Sequence, residues 1–359
     1  MRVTKYTVIA ILCCMIFAYS SCKKDYIHID YRRPLAADTL TLNGIAGLET
    51  GDNAANSVFV DLSKGVQTTV SRISWDLGFY CGVDTFRVII NHSHGATAIA
   101  VDKDLLSVKA SDSVANATAL SLDRTTGNIA SVDPVSGSFS SYITGTVINE
   151  ISANDANNKV YIICPGKGDD GVNRYYGIKV KISRITNGYS VSYSRLEDPG
   201  FNTVTVNKDP SYNFKYISFT SSVASVEPAK SLWDIEWGTS TYKNASAGAV
   251  LQPDFLMINF AAGVKAAQVM VADRAYKDFT KDDLAGITLS GNRDAIGVSW
   301  LNLTGSTQGG YAINTDRYYI IKDKQDNVYK LNFFGGGSRG KPIIQYNILV
   351  DSEPKNPGE

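Results

Sequence analysis

The stretch Ser74-Trp75-Asp76-Leu77-Gly78-Phe79 decides how the chain is read, because it recurs as Leu232-Trp233-Asp234-Ile235-Glu236-Trp237. In each copy apolar residues alternate with small or acidic ones at period two, the pattern of a half-buried strand. Trp75, Leu77 and Phe79 then share one face, with Asp76 and Gly78 on the other. In the second copy Trp233, Ile235 and Trp237 face in, and Asp234 and Glu236 face out. Spacing extends the match: 86 positions separate Trp75 from Tyr161, and 86 separate Trp233 from Tyr319 (161 − 75 and 319 − 233). Lys159-Val160-Tyr161-Ile162-Ile163 matches Arg317-Tyr318-Tyr319-Ile320-Ile321. Phe59-Val60-Asp61-Leu62-Ser63, ahead of the first Trp-Asp pair, matches Tyr216-Ile217-Ser218-Phe219-Thr220 ahead of the second. Equal spacing over several matched runs predicts a tandem duplication with the Trp-Asp pairs in the core of both copies.

Outward from these strands the chain reads as mainly β. Runs such as Phe86-Arg87-Val88-Ile89-Ile90, Tyr176 to Ile182 and Ile343 to Ile348 are rich in β-branched and aromatic residues and are separated by Gly, Asn, Asp and Ser clusters. A short helix is predicted over Thr280 to Leu284, with Thr280 as cap and Asp282-Asp283 in the first turn. The expected organisation is a signal peptide over 1–21, a tether over 22–50, tandem antiparallel β domains over 51–205 and 206–351, and a disordered tail over 352–359.

The N-terminus carries Arg2 and Lys5, then an uncharged run from Val8 to Ala18, shorter than the roughly 20 residues a spanning helix needs. Tyr19-Ser20-Ser21-Cys22 follows, a lipobox-like junction that makes Cys22 the expected acylated first residue of the mature protein and the membrane its partner through the lipid anchor. Ordinary secretion with cleavage near Ser20 or Ser21 is the alternative. With 35 basic and 35 acidic residues the formal charge is zero, so the footprint of a nucleic-acid binder is missing. Cys81 and Cys164 could pair as one disulfide in an oxidising compartment, or stand as two buried thiols.

Several patterns imitate chemistry. Gly166 to Gly171 fits G-x-G-x-x-G, but strand rather than helix is predicted next, so a hairpin loop is expected. Gly335 to Lys341 fits G-x-x-x-x-G-K, but Pro342 stands where Ser or Thr would hold magnesium. Asp169, Asp170 and Asn173 could hold calcium or simply form a solvated turn. No His-Glu-x-x-His run is present, and no enzyme is predicted. His92 and His94 remain. If the strand from Phe86 reaches them, their imidazoles lie about 6.6 Å apart on one face, from a rise of roughly 3.3 Å per residue. That spacing suits one metal gripped from one side, not haem gripped on both faces. Otherwise the segment is a loop, or only one of the pair could be an axial ligand, or the two are polar residues in an exposed turn. Aligning Asn91 with Asn259 and Gly95 with Gly263 sets Phe260 against His92 and Ala262 against His94, so the pair belongs to the first copy alone.

The order lipobox, tether, strand, Trp-Asp-(Leu/Ile)-x-(Phe/Trp) and late aromatic strands resembles the HmuY family of haem-binding outer-membrane lipoproteins over roughly residues 50 to 350. The resemblance implies a mainly β, non-enzymatic protein of iron acquisition that takes haem from host haemoproteins and passes it to a TonB-dependent receptor, holding iron with His or Met pairs. It makes His92 and His94, and Met257 and Met270 in the matching region of copy two, the candidate ligands, with Tyr80 available to pack on the macrocycle. The rival expectation is a structural, adhesive or glycan-binding surface lipoprotein that has no haem site.

Overall fold

The computed structural model describes residues 36–50, 53–166, 177–243, 248–302, 312–334 and 338–352. The expected signal peptide, Cys22, the candidate calcium turn at Asp169 and Asp170, and residues 353–359 of the tail lie outside the described residues. The segment Met1–Arg33 is a unit by itself, and the chain from Pro34 onward is the other. Among the described residues no helix is long and apolar enough to cross a membrane.

In chain order the strands are β1 (Ala37–Thr41), β2 (Asn56–Asp61), β3 (Val66–Ser71), β4 (Leu77–Tyr80), β5 (Val88–Ile90) and β6 (Thr97–Val101). Helices α1 (Ala110–Ala115) and α2 (Phe139–Thr144) follow. Then come β7 (Val160–Cys164), β8 (Ile178–Ile185), β9 (Gly188–Arg195), β10 (Asn202–Asn207), β11 (Phe214–Ser218) and β12 (Ser222–Ala224). The chain ends with β13 (Ile235–Lys243), β14 (Ala249–Ile258), β15 (Lys265–Met270), β16 (Arg317–Lys322), β17 (Val328–Phe334) and β18 (Ile343–Val350). The mainly β class read from periodicity is what the chain adopts. The short helix expected near Thr280 is a 3₁₀ turn, Lys281–Gly286, and its cap is reciprocal: the Thr280 amide donates to Asp283 Oδ2 at 2.7 Å.

Among the described residues the strands form four antiparallel sheets, ordered β1-β18-β17-β16-β15, β10-β9-β8-β7-β6, β12-β11-β4-β5 and β14-β13-β2-β3. The strand ahead of each Trp-Asp pair crosses to the other sequence copy. β2 pairs with β13, setting Val60 against Ile235 and Val58 against Trp237. β11 pairs with β4, setting Ile217 against Leu77 and Tyr216 against Gly78. The sheets therefore divide the fold into one contiguous half, β4 to β12, and one built from both ends of the chain, β1 to β3 with β13 to β18. The boundary expected at residue 205 falls inside β10, within a single half. The exchange buries β2 on both faces: Val58 and Val60 enter the core with Ile235, Trp237 and Tyr346, and Phe59 enters the seam between the halves. A near-continuous apolar run such as Val58-Phe59-Val60 suits a strand covered on two sides.

Three local expectations change. Residues 37–50, expected as tether, hold β1, which pairs with β18 and covers that sheet edge, and Leu42 is fully buried in the adjoining core. The strands predicted from Ser74 and Leu232 begin only at Leu77 and Ile235, so each Trp-Asp pair is the bend leading into its strand. Asp234 and Glu236, expected to face water, are 6% and 7% exposed because β13 is covered on both sides. Cys81 and Cys164 form no disulfide: the Cys81 Sγ accepts the Asp209 amide at 3.5 Å, and Cys164 ends β7 in a different sheet.

Candidate functional site

The bends at the two Trp-Asp pairs are built alike. Each aspartate amide donates to the exchanged strand, Asp76 to Ile217 O and Asp234 to Val60 O, both at 2.8 Å. Each carboxyl then receives the amide just past that strand: Phe219 to Asp76 Oδ2 at 2.7 Å, Leu62 to Asp234 Oδ2 at 2.8 Å. An asparagine braces each bend from below. Asn91 Nδ2 donates to Arg72 O and Trp75 O, and Asn259 Nδ2 donates to Lys230 O and Trp233 O. Trp75 and Trp233 themselves enter the seam, packing edge-on against Tyr216 and Phe59 with centroids 4.9 and 5.0 Å apart. These groups satisfy backbone at a strand exchange and, Asp76 apart, are buried, which makes them structural.

The histidines lie in the turn after β5. Asn91 Oδ1 accepts the amides of Ser93 and His94, and Gly95 closes the turn at φ +76°, a conformation that favours glycine. The segment is thus a turn, the loop alternative rather than a continued strand, and it is largely buried rather than exposed. His92 Nδ1 meets Ser240 Oγ at 3.0 Å, and the ring sits edge-on to Trp75 with centroids 5.6 Å apart. Burial, with the Arg293 guanidinium adding, holds this imidazole well below its ordinary range, so it is neutral near pH 7. His94 is 4% exposed and lies under Gly166.

Met257, on β14 opposite Glu236, lines the same cavity as His92, so the fold brings together two of the four candidates. Trp75, Trp233, Glu227 and Glu236 also line it. Met270, in contrast, ends β15 in another sheet, where its sulfur accepts Gln268 Nε2 at 3.4 Å. Tyr80 is half-buried and already packs on Phe139 and Phe214, with centroids 5.3 and 5.5 Å away.

Around the seam the fold buries charge that no local pattern announces. Arg293 is 1% exposed; it donates to Val135 O at 3.0 Å, to Thr241 O at 3.3 Å and to Ser240 Oγ. Asp133 accepts the Ile90 and Val147 amides at 2.8 and 3.0 Å, and burial pushes its carboxyl up to about 7. Burial also pushes Glu236 up to about 7 and Glu227 up to about 8. Arg293 and Asp133 sit in connections, and Glu227 precedes β13, so their burial follows from what packs over them and has no sequence signature.

The cavity tests the haem expectation. Its volume is about 40 Å³, room for a few waters, whereas ligand pockets run to roughly 300 to 1,000 Å³. Among the described residues no three His, Cys, Asp or Glu side chains are grouped to hold a metal ion. His92 is engaged with Ser240, His94 is enclosed, Met270 is remote and Tyr80 is packed against protein. These residues do not form a slot for a macrocycle with ligands on its two faces.

The comparisons with known proteins identify the chain by its length rather than by this cavity. A family model described as HmuY protein matches residues 53–346, spanning both sequence copies and both halves of the fold. No curated protein matches the chain. The match covers most of the chain, and this protein belongs to the HmuY family.

Proposed function

We propose that this is a non-catalytic lipoprotein, anchored to the outer membrane through Cys22 and displayed at the surface, that captures haem or a related porphyrin for iron acquisition. In this reading it takes its cargo from host haemoproteins and passes it to a TonB-dependent receptor. Family membership over residues 53–346 is the observation that carries the reading. The closed seam sets a condition on it: the cargo is not gripped between His92 and Met257, whose shared cavity admits only a few waters. That same observation favours a second reading, a structural, adhesive or glycan-binding surface lipoprotein with no haem site.

Titration of purified residues 23–359 with haemin separates the two. A Soret shift that survives His92→Ala, His94→Ala, Met257→Ala and Met270→Ala is expected. Absence of a shift in the wild type would overturn haem capture in favour of the second reading. A shift abolished by His92→Ala or Met257→Ala would overturn the condition set by the seam.

A further inference from the structure

The chain crosses between the two halves of the fold twice, at 72–76 and at 225–234. The second crossing carries a buried acid. Glu227, 5% exposed, accepts the Phe214 amide at 2.6 Å and Asn213 Nδ2 at 3.5 Å, both neutral donors. Asn213 Nδ2 also donates to Asn259 Oδ1 at 2.9 Å, across the seam, and Asn259 Nδ2 donates to Lys230 O and Trp233 O. One buried polar chain, Glu227 to Asn213 to Asn259 to Trp233, therefore ties the crossing to itself and joins the first residues of β11 to the turn after β14. The first copy has no counterpart to this acid: at the 158-residue offset of the Trp-Asp pairs (233 − 75), the position matching Glu227 is Thr69.

We propose that Glu227 is a protonation-controlled latch on this crossing: its neutral carboxyl holds the seam closed, and its ionisation loosens the crossing and the cavity beside it. The surroundings offer the anion the Phe214 and Asn213 N–H donors, but no cation bears on it to offset its burial. Facing this region are the carboxyl of Glu236 from β13, the phenols of Tyr216 from β11 and Tyr142 from α2, the thiol of Cys81 after β4, and the neutral imidazole of His92. Arg293 borders the adjoining space, but its guanidinium is committed to Val135 O, Thr241 O and Ser240 Oγ. Lys230 lies on the crossing and contributes its carbonyl to Asn259. Burial is the main cause that raises the Glu227 carboxyl to about 8, and the nearby Glu236 raises it further. The Trp233 Nε1 is buried with no hydrogen-bond partner among the described residues, and it borders the cavity of about 40 Å³, so water has a polar foothold next to the latch.

The sign follows from linkage. The folded seam holds a proton that the opened crossing releases above the ordinary glutamate range near 4.5, so closure weakens as pH rises toward about 8 and then levels. The device does not depend on haem being the cargo, and its test uses none. Hydrogen exchange of the full mature chain, corrected for intrinsic rates, is measured from pH 6 to pH 8. Protection of the Phe214–Ser218 amides should fall about tenfold per pH unit, the slope of one proton. The fall should be about one proton shallower in Glu227→Gln, which keeps an acceptor for the Phe214 amide while Glu236 and Asp133 still titrate. A flat wild type, or an equal fall in Glu227→Gln, overturns the latch. A ¹³C titration of the wild-type Glu227 carboxyl is independent of how the variant folds: a midpoint near 8 supports the latch, and one near 4.5 overturns it.

Discussion

The Asp234 carboxyl accepts the amide of Leu62, 172 positions earlier in the chain, at 2.8 Å. That bond closes the end of an exchanged strand, and Asp76 closes the other with the Phe219 amide. Asp234→Ala leaves a buried amide unsatisfied and should cost about 1 to 3 kcal/mol in urea unfolding. Asp234→Asn, which keeps the acceptor, should cost less than half as much. Equal losses for the two variants would mean that the bond is incidental.

Asn91 is the more heavily loaded brace. Its amide donates to two carbonyls, and its oxygen accepts from the amides of Ser93 and His94 and from the Ser93 hydroxyl. Asn91→Ala should lower stability by about 3 kcal/mol, since several buried partners lose their bond at once. Thermal unfolding checks this, and a change under about 1 kcal/mol would contradict it.

Asp133 makes stability depend on pH. Its carboxyl is raised from 3.8 to about 7 by burial, so the folded chain keeps a proton that the unfolded chain releases. The stability tied to that proton is fully present below about 4 and is lost as pH rises through about 7. Asp133→Asn removes this slope, so its deficit against wild type should shrink from pH 5 to pH 8 in denaturant titrations. A constant deficit would show that Asp133 is ionised throughout.

Gly78 marks a close approach within the β4 sheet. A Cβ placed there would lie 2.7 Å from Ile89 Cγ1 and 2.9 Å from Tyr216 Cε1. Gly78→Ala must push these packed side chains apart and should cost about 1 to 3 kcal/mol. Gly263, with nothing within 4 Å of its Cβ position, is not a neutral control because its φ is +93°. Gly286→Ala, with equal space and no such φ, should change the melting temperature little.

Much of the fold was legible because its causes are local. Alternation around Leu77 and Ile235 reports strands, Thr280 and Asp283 report a cap, and equal spacing from the tryptophans reports matched parts. The site was less legible. His92 and Met257 were singled out one by one, and only the packing of β5 and β14 across the seam shows that they share a cavity. Asp133, Glu227 and Arg293 were missed because nothing near them in sequence says that they are buried.

From the sequence alone came the mainly β class, the recurrence of the Trp-Asp stretch, and the resemblance that the family match bears out over residues 53–346. Each depends on residue type and spacing, which survive without coordinates. The tertiary structure decided which copy each strand joins, that the Trp-Asp pairs are bends bracing an exchange, and that Asp234 and Glu236 are buried. A strand's period shows which faces are apolar, but its hydrogen-bonding edges are the same backbone groups everywhere. The choice between β4 and β13 as partner for β2 therefore lies in long-range packing, and so does the shape of the seam.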